Sequence, residues 1–435
     1  MGLSNSITER LENVAVRIPN ALIPAPEVDL EKWAVLACDQ HTSAPEYWDR
    51  VEQFVGAAPS TLRCILPEAY LESGDVDERI ESAHRTMRRY LEDGTLRHAG
   101  EGFVLVRRTL SDETVRDGLM VALDLEQYDF RPDSRTPIRA TESTIVERIP
   151  PRMRIRNGAP LEFPHILVLV DDPEETLIEP LIRRRESFRT LYSTSLMFDG
   201  GHVGGYLVAE ESAVEQVTEA LEALADPERF SERYGTKEVI LFPVGDGNHS
   251  LAAARRYWEQ VKEGGASADH PARFALVELV NLRGAGLPFH PIHRTVTGVD
   301  PQAAMTALES NGFRRQSTDA DSADDASIVA LHAPDNVAHF RSEDDKTLAV
   351  AQVDEVIAEL NPGKVDYIHG AEAVRAATER GESVFVLPSL NRDQLLPTVL
   401  ENGALPRKAF SLGRAEDKRY YLESRHLMSG GSGVQ

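Results

Sequence analysis

The sequence predicts an α/β fold built on a mixed or antiparallel sheet, and three observations predict it. Apolar runs rich in Val, Ile and Leu recur at 102–110, 117–130, 164–173 and 237–244, each bounded by turn residues as strands are. Segments with apolar residues at helical spacing lie at 77–95, 174–192 and 211–225. At 238–262 an apolar strand stops at Gly245-Asp246-Gly247 and a helix begins at about His249-Ser250. Alternation of such elements favours a sheet covered by helices.

Taken in order, 33–38 (WAVLAC) reads as a buried strand that empties into the polar loop Asp39-Gln40-His41-Thr42-Ser43. A helix follows from about Pro45, since proline suits a first turn and Tyr47, Val51 and Val55 share one face. The helix at 77–95 closes at Gly94, and the strands at 102–110, 117–130 and 164–173 form the sheet. After Val296 the texture changes to a helix at 301–312, an acidic loop at 317–326 and short strands at 327–332, 336–342 and 347–351. This reads as a small α/β insertion of roughly 60 residues, near the lower end of domain size. A helix end at 374–381, a strand at 383–390 and a basic closing stretch complete the chain. The expected division is a main domain at 1–295, a subdomain at 296–358, a segment at 359–428 packing back on the core, and a disordered tail at 429–435 that lacks any apolar anchor.

Bulk properties remove several function classes. The 435 residues are 41% hydrophobic and 27% charged, and no apolar run is long enough to cross a bilayer. The first fifteen residues lack the basic start and apolar core of a secretory signal, so a cytoplasmic location is expected. Gly2 weakly matches a myristoylation context, but Ser6 also suits a plain helix cap before Ile7 and Leu11. With 47 Lys plus Arg against 71 Asp plus Glu, the formal charge of −24 repels polyanions and argues against nucleic acid as a partner. Two cysteines, Cys38 and Cys64, cannot make a disulfide framework or a thiolate zinc site, and Cys38 reads as a buried small hydrophobe rather than a nucleophile.

The sharpest chemical signal is the loop Gly245 to Ser250. Unpaired N–H groups at a helix start bind phosphate without needing Lys or Arg, and Gly245 and Gly247 allow close backbone approach. Asp246 suits Mg²⁺ through oxygen, and His249 suits phosphate donation or acid/base work. The same residues also read as a tight turn at Asp246-Gly247 with Asn248 as an N-cap.

Three further constellations stand beside it. Arg139, Arg148, Arg152, Arg154 and Arg156 crowd with Glu142 and Glu147 into 139–156, which suits anion binding, or equally an edge strand of charges paired with one another. Asp39 and Glu46 are candidate bases after the 33–38 run, while Ser43 to Glu46 also reads as a capping box. His290, His293 and Arg294 follow an apolar strand, but Pro288 and Pro291 forbid the regular helix that a zinc pair would use. No HExxH, Walker, GxGxxG or GxSxG motif is present.

The stretches WAVLACDQHTSAPEYW, ATESTIVERIPPRMRIRNGAPLEFPHILVLVDDP, VGDGNHSLAAA, PIHRTV, VDYIHG and LPRKAFSLG together resemble the family of domain of unknown function 1015. That family commonly carries Asp-Gly-His-His-Arg at the loop, a signature similar to the phosphate motif of the ParB/sulfiredoxin-like fold, including free serine kinases. The resemblance implies a mixed-sheet ParB/sulfiredoxin-like core, a bound nucleotide (ATP or ADP) with Mg²⁺ at Asp246, and a small hydroxylated substrate. Here Asn248 replaces the first His and Ser250 replaces the Arg, so a bidentate phosphate clamp is missing. Arg255, Arg294 or an arginine of the 148–156 cluster (Arg148, Arg152, Arg154, Arg156) are the candidate replacements, with His293 beside Arg294 and Lys408 as a further phosphate-ligand candidate. Glu46, Asp39 and Glu142 are the ranked candidates for the base that deprotonates the acceptor.

The leading expectation is a nucleotide- and Mg²⁺-dependent phosphotransferase acting on a small metabolite. A non-catalytic nucleotide- or phosphometabolite-binding regulator and a phosphate-ester hydrolase are the alternatives. No membrane partner is expected, and the sequence allows a homo-oligomer.

Overall fold

The computed structural model describes residues 4–42, 44–316, 328–334, 336–344 and 347–428. They form two compact units, one of described residues within 4–287 and 415–428 and one within 288–414.

The larger unit is built on a ten-stranded sheet. Its strands are β1 (Val16–Arg17), β2 (Phe103–Thr109), β3 (Val115–Asp124), β4 (Tyr128–Asp129), β5 (Ile138–Ala140), β6 (Leu167–Val170), β7 (Arg189–Ser195), β8 (His202–Val208), β9 (Phe242–Asp246) and β10 (Phe274–Asn281). Nine run in the order β7-β8-β2-β3-β10-β6-β9-β5-β4, and β1 pairs with β3. The pairs β6–β10, β5–β9 and β4–β5 are parallel and the others antiparallel, so the sheet is mixed, as expected.

Alternation places the two cores on opposite faces. Phe103, Leu105, Leu119, Val121 and Val277 point into one, and Val104, Val106, Met120 and Leu276 into the other. A sheet covered on both faces needs continuous apolar strands, which is why 103–106 and 119–123 carry so little polarity. Helices cover it: α1 (Pro45–Val55), α2 (Val76–Glu92), α3 (Ile149–Arg156), α4 (Glu211–Leu224) and α5 (Asn248–Glu263). Leu251, Ala254, Tyr257 and Trp258 of α5 pack into the first core, while Ala252 and Ala253 meet Ile149 of α3.

Several expectations need correcting. The run at 33–38 is not a strand: Leu30–Trp33 is a helical turn and Leu36 makes one isolated bridge to Tyr420. Its apolar character comes from full burial, which a short run shares between strand and turn. Of 174–192, only Glu179–Arg183 is α-helical and Arg189–Ser195 is β7. The expected strand at 347–351 falls at the start of a helix, Ala349–Leu360. The acidic loop at 317–326 and the tail at 429–435 lie outside the described residues.

The smaller unit is also larger than the 296–358 expected. Its six-stranded sheet joins His293–Thr297 and Ile328–Ala333 to Ser383–Val386 and Lys364–Ile368, so pairing draws 359–414 into it. The segment that returns to the larger unit is therefore 415–428. It pairs Leu36 with Tyr420, Leu22 with Ser424, and Arg425–His426 with Leu161–Glu162. Among the described residues no helix is long and apolar enough to cross a membrane.

Candidate functional site

Strand β9 delivers the loop. Phe242 and Val244 are buried in the sheet, and the Thr141 hydroxyl donates to the Val244 carbonyl at 2.5 Å, which fixes the strand end. Asp246 Oδ1 accepts from the Gly247 amide at 2.9 Å, and Oδ2 meets Lys418 Nζ at 2.7 Å. Burial disfavours the charged carboxylate. Lys418, with help from His165 and the Gly247 amide, outweighs that and holds the Asp246 carboxyl below its ordinary range.

Gly247 adopts φ 85° and ψ 25°, the left-handed region. A Cβ there would stand 3.0 Å from Ile166 Cγ1 and 3.2 Å from Ile166 Cα, so glycine is required by conformation and by space. Helix α5 starts immediately after, and its first bond runs from the Leu251 amide to the Gly247 carbonyl at 3.0 Å. The N–H groups of Asn248, His249 and Ser250 precede that bond and carry the helix's partial positive charge. Asn248 is buried, and its Oδ1 has no hydrogen-bond partner among the described residues. No side-chain cap bond is made at this helix start, so the capping role read for Asn248 is not the one it plays.

His249 Nε2 accepts the Ile145 amide at 3.1 Å, which ties the 139–148 segment to the loop and engages one ring nitrogen of the residue expected to serve phosphate. Ser250 turns the other way. Its Oγ lies 2.9 Å from His165 Nε2, and His165 Nδ1 lies 3.1 Å from the Tyr421 hydroxyl. That hydroxyl accepts the Cys38 amide at 3.1 Å and donates to Cys38 Sγ at 3.2 Å. Asp39 Oδ2 stands 3.9 Å from His165 Nε2. Burial, with Asp39 nearby, pushes the Cys38 thiol up to about 11, which suits the unreactive role expected of it.

These groups line a cavity of about 120 Å³ that also includes Glu68, Arg152 and Ile155. Asp39, Ser250 and the 148–156 segment are thus brought together. Glu46 is not: it is exposed on α1, whose N-cap is Ala44, and Ser43 of the capping-box reading lies outside the described residues. Glu142 is half-buried in the loop before α3.

The arginine cluster divides. Arg152 pairs with Glu68, Arg154 with Asp77, Arg156 with Glu162 and Arg139 with Glu238, while Arg148 is exposed. Only Arg152 and Arg156 reach the cavity, and burial lowers the Arg152 pKa against the pull of Cys38 and Asp39. Arg255 is bound to Glu259 and to the Leu125 carbonyl.

The remaining candidates belong to the smaller unit. Arg294 is fully buried and uses all five donors: Nε and Nη2 on Asp354 at 2.8 and 3.0 Å, Nη1 on the Ile292 and Lys408 carbonyls, and Nη2 on the Arg407 carbonyl. It has no donor left for phosphate. His293 Nδ1 accepts the Leu387 amide at 3.1 Å, and burial, with His369, His332 and Arg294 nearby, lowers its pKa to about 4. Lys408 Nζ lies 4.5 Å from the centre of the Tyr367 ring.

The residues do not supply the Mg²⁺ site expected at Asp246. Its carboxylate is matched by Lys418, and among the described residues no group of three His, Cys, Asp or Glu side chains is placed to hold a metal ion. A cleft of about 940 Å³ beside Asp171, Phe230, Arg233 and Tyr234 follows the far end of β6 from the Leu167–Asp246 pairing.

Sequence reasoning missed His165, Lys418 and Tyr421. The signal available was weak: His165 sits in a Pro-His-Ile strand start, and Lys418 and Tyr421 sit in the basic closing stretch.

A family model described as protein of unknown function (DUF1015) matches residues 19–365. The chain belongs to this family. No curated protein matches this DUF1015 member in sequence. Among solved structures it is similar to a conserved hypothetical protein from Pyrococcus furiosus at 10% identity and TM-score 0.33, covering 72% of this chain and 95% of that one. It is similar to a free serine kinase in complex with AMP at 11% identity and TM-score 0.35, covering 71% and 92%. It is also similar to SbnI with C-terminal truncation from Staphylococcus aureus at 10% identity and TM-score 0.35, covering 72% and 83%. These are distant likenesses.

Proposed function

We propose that this DUF1015 member is a phosphotransferase that binds a nucleotide at the start of α5 and passes its terminal phosphoryl group to a small hydroxylated metabolite. The observation that carries the reading is the joining of a helix start whose leading N–H groups suit an anion, Gly247 to Ser250, with the Asp246–Lys418 pair and with a cavity that Ser250 and Asp39 both line. The terminal phosphate sits against the first N–H groups of α5, and Lys418 neutralises charge that develops on it. The acceptor hydroxyl enters the cavity, where Asp39 takes its proton. Phosphoryl transfer asks chiefly for positioning and charge neutralisation, and a positioned base adds about 10²–10⁴-fold.

The reading is tested by thermal unfolding of the full chain with ATP, ADP, CTP and GTP, each with and without Mg²⁺. A ligand that binds only the folded state raises its apparent stability. A shift in the wild type that is lost in Gly247→Ala supports it, and screening of hydroxyl acceptors follows. No shift with any nucleotide overturns it.

One observation favours a second reading. The closed Asp246–Lys418 pair suits a binding protein that recognises a phosphorylated ligand without turnover. Nucleotide stabilisation with no transfer to any hydroxyl acceptor, unchanged in Asp39→Asn, selects it.

A further inference from the structure

We infer that Ser250 is a nucleophile toward phosphorus, activated by His165, and that it carries the phosphoryl group as a covalent intermediate. The inference rests on the phosphotransferase reading for its donor, while the chemistry of the serine stands on the site's own geometry.

Hydrogen-bond donors and acceptors around Tyr421 favour one tautomer of His165. The phenol oxygen accepts the Cys38 amide and donates its own hydrogen to Cys38 Sγ. With its hydrogen on Cys38 Sγ, it offers His165 Nδ1 an acceptor at 3.1 Å. In that arrangement His165 donates from Nδ1, which leaves Nε2 as the unprotonated nitrogen. That nitrogen lies 2.9 Å from Ser250 Oγ, so the serine hydroxyl donates to it. A nucleophile bonded to a base, with the base held in one tautomer by a third group, is the arrangement that activates a hydroxyl.

The surroundings suit phosphorus rather than an arbitrary electrophile. Ser250 lies in the first turn of α5, whose leading N–H groups favour an anion. Its hydroxyl opens on the cavity shared with Asp39 and Arg152. In the first step Ser250 Oγ attacks the terminal phosphorus, the bond from that phosphorus to the bridging oxygen breaks with its electron pair leaving on the nucleoside diphosphate, and the hydroxyl proton passes to His165 Nε2. In the second step the acceptor hydroxyl attacks phosphoserine, its proton goes to Asp39, and Ser250 Oγ leaves with the proton returned by His165. One proton is released overall, as transfer from a nucleoside triphosphate to an alcohol requires.

The test uses two probes on the full chain, a fluorophosphonate, which reacts at phosphorus and needs no nucleotide, and γ-labelled ATP, with the modified residue located by peptide mass spectrometry. Both labels are expected on Ser250. They are lost in Ser250→Ala, slowed about 100-fold or more in His165→Gln, and slowed on the order of tenfold in Tyr421→Phe, which keeps the ring's volume and removes one hydrogen-bonded oxygen. Absence of fluorophosphonate label on wild-type Ser250 overturns the inference, even when ATP raises the melting temperature and the phosphotransferase reading survives. Fluorophosphonate label on Ser250 without any response to nucleotide supports the nucleophile and overturns the nucleotide donor instead. Label that persists on Ser250 at full rate in a folded His165→Gln overturns the activation by His165.

Discussion

Lys418 Nζ lies 2.7 Å from Asp246 Oδ2, joining residues 172 positions apart in the chain. The pair fastens the returning 415–428 segment to the loop between β9 and α5. Lys418 is 9% exposed and Asp246 25%, so removing one partner strands a charge that water reaches poorly.

Asp246→Ala is therefore expected to cost about 3 kcal/mol in urea unfolding, the lower end of what a broken buried pair costs. The pH dependence has a definite sign. The folded Asp246 carboxyl titrates below its unfolded value of about 3.9, so its contribution is present above that pH and is lost as pH falls through the folded value. Asp246→Asn should lack this component of acid unfolding. An acid limb identical to wild type would show that Lys418 does not hold the carboxylate in solution.

Gly247→Ala should destabilise the protein by about 1–2 kcal/mol from the left-handed backbone alone. Contact with Ile166 adds to that, since a Cβ would stand 3.2 Å from its Cα, which cannot swing away as a side-chain tip does. Circular dichroism during urea titration reads the loss. A variant as stable as wild type would mean that the loop relaxes out of the conformation that presents the α5 N–H groups.

The strand–loop–helix was legible because its physics is local: an apolar run, glycines where the chain turns, and helical spacing beyond. So were β2, β3, β6 and α2, whose patterns are long. The partners of the loop were not legible. Lys418, His165 and Tyr421 are recruited by tertiary pairing, and Lys408, marked in the same closing stretch, belongs to the smaller unit. Arg294 shows the converse, a residue whose type suits phosphate and whose five donors are all taken by Asp354 and carbonyl groups. The expected boundary at 296 falls inside the strand His293–Thr297, and the limits of the smaller unit at 288 and 414 depend on the pairing of that strand with Lys364–Ile368 and Ser383–Val386.

His293 gives the smaller unit a pH sensitivity between about 6.5 and about 4. Burial, with His369, His332 and Arg294 nearby, lowers its pKa to about 4 against an unfolded value of about 6.5. Between those values the unfolded chain binds the proton and the folded chain does not, so stability falls as pH drops from about 6.5 to about 4, by an amount on the order of 3 kcal/mol. His41, His270, His332 and His426 are shifted in the same direction, so the contribution must be isolated by difference. His293→Asn keeps an acceptor for the Leu387 amide and cannot titrate there. Its urea midpoint should fall less than that of the wild type between pH 7 and pH 5, and an equal fall would remove His293 as the source.

Asn248 separates stability from binding. A buried acceptor without a partner costs about 1–3 kcal/mol, and replacing it with an apolar group of similar size removes the cost. Asn248→Leu should therefore match or exceed wild type by about 1 kcal/mol in urea unfolding without ligand. The same substitution takes a polar group from the start of α5, where the proposed nucleotide lies, so the thermal shift produced by nucleotide in the wild type should disappear. Most buried polar residues behave in the opposite way, because their bonds are made within the protein and truncation exposes the loss at once. A stabilised variant that no longer responds to nucleotide would mark Asn248 as a residue kept for its ligand. A variant destabilised by more than about 1 kcal/mol without ligand would show that its oxygen is satisfied in the free protein, and that the unpaired acceptor is no sign of a binding site.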